Sequence, residues 1–196
     1  TIISRMPSTP IPNYAFMNNG NLTFTNQASS WGLDTPSFSN GAAYGDLDND
    51  GDLDLVVNNV NMQSFVYRNN SEKNKKNHFI KVNLKGDQLN TFGIGSVVEL
   101  FSGKEVIRQE LVPSRGFQSS IDYALTFGLG NKKVDSLQVI WPNGKSQILK
   151  NVKLNTTINL SIANAKTDYV VKSSNSKPLF KESKSNFIAH KENDYI

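Results

Sequence analysis

Residues Asp46 to Asp54 read DLDNDGDLD, five carboxylates in one nine-residue stretch with a glycine at its sixth position. Carboxylates held this close repel one another, so the chain must splay them, protonate some of them or neutralise them with a cation. A hard divalent ion suits the spacing. Calcium takes about 6–8 oxygens at roughly 2.3–2.6 Å, and side chains at positions 1, 3, 5 and 9 of such a loop converge on one point. Those positions are Asp46, Asp48, Asp50 and Asp54. Position 7, Asp52, is expected to offer its main-chain carbonyl while its carboxylate adds negative charge. Gly51 supplies the sharp turn, because only glycine visits positive φ at little cost. The pattern predicts a Ca2+ site on these five aspartates.

An EF-hand begins in the same way but needs flanking helices and a bidentate Glu at position 12. Position 12 here is Val57. Ala42-Ala43-Tyr44-Gly45 precede the loop and Leu55-Val56-Val57 follow it, a β-rich setting without helical periodicity. The expected unit is strand, loop, strand. Without the Glu, affinity should fall in the range of about 10⁻⁴–10⁻³ M typical of extracellular modules. So weak a site is useful only where calcium is abundant, which points to the cell exterior, the cell surface or the periplasm.

Composition excludes several classes. The 196 residues include no cysteine, so disulfides, zinc-thiolate centres and thiol catalysis are ruled out. No stretch approaches the length of apolar sequence that a membrane helix needs. The loop contributes −5 to a net charge of +4, leaving +9 for the rest of the chain. Those lysines are scattered, and the densest run, Lys73-Asn74-Lys75-Lys76, reads as a hydrated linker rather than a face for nucleic acid.

Three zones follow along the chain. In residues 1–72, Tyr14 to Asn19 and Phe65 to Asn70 each run a short aromatic strand into an Asn-Asn turn, at a spacing near fifty that suits propeller blades. A propeller closes with about 4–8 blades, so this zone is one partial piece. In residues 73–165, Ile80, Val82 and Leu84 alternate with Lys81, Asn83 and Lys85, the signature of a half-buried strand. Further strands are predicted at 96–101, 105–112, 121–127, 136–141, 146–152 and 156–162. Turns are expected at Ser102-Gly103, Pro113 to Gly116, Gly128 to Lys132 and Pro142-Asn143-Gly144. Residues 166–196 are rich in Lys, Ser and Asn, with Pro178-Leu179-Phe180 and Phe187-Ile188 as their only apolar anchors, and read as an extended tail or linker to a further domain. The chain opens on Thr1 and reads as a mature product or an internal slice of a longer protein. The fold class is all-β: partial β-propeller blades followed by a β-sandwich or barrel-like domain.

Asn40 to Gly45, the Asp loop and Leu55-Val56-Val57 together resemble an FG-GAP repeat of the VCBS type. That resemblance implies a calcium-containing β-propeller of the kind found in the integrin α-chain head, completed by other domains or chains. Asn77-His78-Phe79, Gly93-Ile94-Gly95-Ser96, Phe127 to Gly130 and Val139 to Lys145 resemble the ASPIC/UnbV domain, which accompanies such repeats in bacterial secreted proteins. Where that family carries a glycine-rich aromatic stretch, this chain has Ser114-Arg115-Gly116-Phe117. His190 to Tyr195 resembles the lead-in to another propeller region.

No catalytic constellation emerges. His78 and His190 lie in different segments, and His78 beside Phe79 reads as a structural hydrogen-bonder. No GxSxG elbow occurs. Gly93-Ile94-Gly95 and Gly128-Leu129-Gly130 open no helix and read as turns rather than phosphate loops. Trp31, Tyr44 and Trp141 could stack on sugars, although Trp141 sits in an alternating strand and is expected in the core. The function expected is a non-enzymatic, calcium-stabilised interaction or adhesion module of a larger secreted or cell-surface protein, with surface proteins or glycans as partners. The alternative is an accessory glycan-binding unit of a polysaccharide-handling system.

Overall fold

The computed structural model describes residues 8–115 and 120–170, together with Phe180 and Ser183. Among them thirteen strands follow one another: β1 (Phe16–Asn18), β2 (Phe24–Asn26), β3 (Ser39–Gly45), β4 (Asp54–Asn59), β5 (Phe65–Tyr67), β6 (His78–Lys85), β7 (Val97–Ser102), β8 (Glu105–Glu110), β9 (Leu125–Gly130), β10 (Ser136–Ile140), β11 (Lys145–Lys150), β12 (Thr156–Ser161) and β13 (Thr167–Asp168). The only helical elements among the described residues are short 3-10 turns, such as Ser71–Lys73, and none is long and apolar enough to cross a membrane.

Two parts share this all-β architecture. In the first, β1 and β2 form a hairpin, and β3, β4 and β5 form an antiparallel meander with β4 in the middle. The Val-rich β4 suits that central place, since branched side chains pack well on a pleated surface. This part is poor in interior. Val57 and Ala28 are its buried apolar residues, while Tyr14, Phe16, Leu22, Phe24 and Trp31 stay exposed.

The second part is a sandwich. One sheet runs β13-β11-β10-β7-β8, the other β12-β6-β9, and neither closes into a barrel. Alternate residues of facing strands fill the space between them: Val98, Leu100, Leu137 and Val139 from one sheet, and Ile80, Val82, Leu125, Phe127 and Leu160 from the other. Burying each such side chain contributes about 1.5–3 kcal/mol, so stability concentrates here. Trp141 is buried in the same core, as its strand position predicts.

Within the smaller sheet, β6 pairs with β9 antiparallel and with β12 parallel, so the first and last long strands of the sandwich lie side by side. Asn155 fixes their register. Its Oδ1 accepts from the Phe79 amide at 3.1 Å, and its own amide donates to the Phe79 carbonyl at 2.8 Å. Its side-chain nitrogen also meets His78 Nδ1 at 3.2 Å, which gives His78 the structural role expected of it.

One local expectation is met only in part. The turn expected over Gly128 to Lys132 begins later, at Leu129, whose carbonyl accepts from the Lys132 amide at 3.1 Å with Gly130 at φ 56°. Gly128 itself lies within β9 opposite Phe79, next to the buried Leu129. Gly116 and Phe117, like Pro178, Leu179, Phe187, Ile188 and the stretch from His190 to Tyr195, lie outside the described residues. Thr167 and Asp168 pair with β11 through Ser146 and Lys145.

Candidate metal centre

The Asp loop joins β3 to β4 and is closed at its base by the pairing of Gly45 with Asp54. Asp54 locks that base. It is buried, its Oδ2 accepts from the Leu47 amide at 3.1 Å, and its Oδ1 accepts from the Asn69 amide at 2.8 Å. The tip curls through two left-handed residues, Asn49 at φ 59° and Gly51 at φ 96°. Asp50 Oδ1 accepts from the Asp52 amide at 3.2 Å, which tightens the curl.

This path brings oxygens of Asp46, Asp48 and Asp50 within 4.8 Å of one another. A second group, Asp50, Asp52 and Glu72, meets the same limit. Oxygens bound to one calcium cannot lie farther apart than about 5 Å, twice the metal-oxygen distance, so either group is geometrically admissible. Asp54 lies outside both groups, with its carboxylate held by the two amides. Asp52 does more than add charge, because its Oδ2 accepts from Ser71 Oγ at 2.8 Å and from the Glu72 amide at 3.2 Å.

Glu72 is the site residue that sequence reasoning missed. It lies outside the Asp motif, at the end of the first zone and next to the Lys73 to Lys76 run, and only the pairing of β5 with β4 carries it back to the loop. Its one sequence signal is its place four residues after Arg68, with which it pairs at 3.5 Å.

The donor set suits a hard cation. Asp46 is only 2% exposed at its side chain, and its Oδ1 has no hydrogen-bond partner, nor do buried Asp52 Oδ1 and Glu72 Oε2. Buried carboxylate oxygens without a donor are costly, and an ion at this place would satisfy them.

Two side-chain cations already face the loop. Lys81 of β6 reaches Asp46 Oδ2 at 3.0 Å, and Arg68 at the end of β5 reaches Asp48 at 2.9 Å and Asp50 at 3.2 Å. The carboxyl groups respond unequally. Burial pushes the Asp52 carboxyl up, helped by repulsion from Asp50 and Glu72. Asp48 is also raised, by desolvation and by its Asp50 and Asp54 neighbours, against the pull of Arg68. For Asp50, burial again pushes up, but the Asp52 amide and the Arg68 guanidinium outweigh it and hold the carboxyl below its ordinary value. Arg68 itself is raised, chiefly by its hydrogen bond to Asp50.

The loop is also wedged against the sandwich. Gly51 is buried under the ring of Phe79, and a Cβ built at Gly51 would overlap that ring. Lys81 and Phe79 both come from β6, two residues apart and therefore on one face of the strand.

Comparison with known proteins finds two separate matches along the chain. Residues 4–57 match the FG-GAP-like repeat family, and residues 86–167 match the family described as ASPIC and UnbV. The second match begins after β6, although β6 lies at the centre of the smaller sandwich sheet. Cartilage acidic protein 1 of Xenopus tropicalis is 28% identical over 107 residues, which cover 54% of this chain and 16% of that protein. This chain therefore spans about a sixth of that relative's length. The stretch that carries the Asp loop is thus similar to FG-GAP-like repeats, and the stretch that carries most of the sandwich is similar to the ASPIC and UnbV family.

Proposed function

We propose that the chain is a non-enzymatic, calcium-stabilised interaction module of a larger secreted or cell-surface protein, serving adhesion or assembly. The observation that carries this reading is the buried, unpartnered Oδ1 of Asp46, a carboxylate grouped with those of Asp48 and Asp50 on a loop wedged against the sandwich. Asp46, Asp48 and Asp50 would hold the ion, with Asp52 and Glu72 adding charge at its side. Bound there, calcium supplies positive charge that relieves the repulsion among the carboxylates. The loop then acts as a clasp, and interaction falls to the surfaces it holds in place.

The partner surfaces follow from the poor interior of residues 8–70. Tyr14, Phe16, Leu22 and Phe24 belong to a hairpin region with no core of its own, and further repeat blades, from the same protein or another chain, would cover them. The two matched families, in which repeat and interaction segments are the rule, support the same reading.

Thermal unfolding in calcium and in chelator tests the proposal. With a dissociation constant of about 10⁻⁴–10⁻³ M, 5 mM calcium should add about 1–2 kcal/mol of stability. For a chain of this length that raises the melting temperature by roughly 2–8 °C. Identical melting curves would sink the metal assignment.

A further inference from the structure

The acidic loop is already neutralised in part, and its two counter-ions differ in kind. Lys81 is 12% exposed and comes from the sandwich, whereas Arg68 is 56% exposed and comes from the same sheet as the loop. The Arg68 guanidinium touches three carboxylates: Asp48 at 2.9 Å, Asp50 at 3.2 Å and Glu72 at 3.5 Å. Asp48 and Asp50 belong to the first possible cation group, and Asp50 and Glu72 to the second. Among the described residues, Arg68 is thus the one side chain whose ion pairs reach members of both groups.

We infer that Arg68 is a built-in competitor for the cation, a resident positive charge that sets the calcium concentration at which the loop fills. This rests on the calcium reading above. A divalent ion among Asp46, Asp48 and Asp50 needs the same oxygens that Arg68 holds, and two positive charges at one set of carboxylates repel. Being more than half exposed, the guanidinium can swing into water at little cost. Lys81 holds Oδ2 of Asp46 and leaves the unpartnered Oδ1 free for the ion.

Arg68 and Glu72 stand four residues apart, so the guanidinium has a second resting place once it leaves Asp48 and Asp50. Glu72 would then serve as the parking position of the displaced side chain. Such a device keeps the loop charge-balanced and folded where calcium is scarce, and it makes filling respond to calcium over a higher range than the bare aspartates would allow.

Calcium titration calorimetry on the whole chain tests this with Arg68→Gln and Arg68→Lys. Removing the charge should tighten calcium binding about 5–30-fold, the span expected for a few exposed ion pairs lost together. Arg68→Lys keeps the charge but loses the guanidinium fork that spans the carboxylates, so its calcium affinity should fall between those of the parent and Arg68→Gln. In the unaltered protein the Arg68 Nε–H should be protected from solvent exchange in chelator and lose that protection as calcium is added. Equal or weaker binding by Arg68→Gln, or protection that persists at saturating calcium, overturns the inference and leaves the calcium site standing. Absence of calcium binding in both parent and Arg68→Gln overturns the site and the inference together. Binding by Arg68→Gln alone supports the inference in its strongest form.

Discussion

The far end of the Phe79 ring packs against Gly51, in the space a Cβ would take, so the tip of the acidic loop in one half of the molecule rests on a side chain from the other. Asn155, just before the neighbouring strand, holds the Phe79 backbone by two hydrogen bonds, one to its side-chain oxygen and one from its main-chain amide. The glycine is needed twice over, for its φ of 96° and for the space the ring occupies. Gly51→Ala should therefore combine backbone strain with overpacking and lower stability by about 2–4 kcal/mol. Urea unfolding measures this, and a loss under 1 kcal/mol would show that the ring moves aside freely.

A second prediction concerns Lys81. Its ammonium is the partner of a nearly fully buried carboxylate, and breaking such a pair from one side leaves an uncompensated charge. Lys81→Met should cost about 3 kcal/mol when measured in chelator. In millimolar calcium the loss should shrink, because the ion supplies the missing positive charge to Asp46. Equal losses in both conditions would mean that calcium and Lys81 serve different carboxylates.

Acid should empty the site in a defined window. The raised carboxyls of Asp48 and Asp52 are disfavoured as anions in the folded, metal-free loop, so they take up protons above the ordinary Asp value of 3.8. Protonation there relieves repulsion in the absence of metal. Calcium, which needs the anions, is expelled over the same window. Asp50 works the other way. Its depressed value means that its stabilising contribution is complete above 3.8 and is lost only as the pH falls through its own lower folded value. Calcium affinity measured from neutral pH downward should thus begin to fall above pH 3.8 while the metal-free fold still holds. An affinity that stays constant down to that pH contradicts the picture.

Much of this was legible in the residues, for reasons that differ from element to element. The alternation of Ile80, Val82 and Leu84 foretold β6 because a half-buried strand imposes a period of two. The acidic loop stood out because the ligand spacing of a calcium turn is local in sequence. What is not local stayed hidden. Glu72, Lys81 and Phe79 reach the loop only through the pairing of β4 with β5 and the packing of the two halves, and no spacing rule records that. Gly130 does take part in a turn, as its chemistry predicts, whereas Gly128 misled, since its place in β9 is set by pairing with Phe79 and by the core position of Leu129 beside it.

The central claim is that a calcium ion among Asp46, Asp48 and Asp50 is felt on both sides of the clasp. Calcium titration followed by two-dimensional NMR of backbone amides tests it most directly. Shifts at Leu47, Gly51 and Asn69 should saturate with a dissociation constant of about 10⁻⁴–10⁻³ M. The amides of Phe79 and Lys81, in the other half, should titrate with the same constant. Amides that do not move up to 10 mM calcium, or shifts confined to residues away from 46–54, would contradict the account.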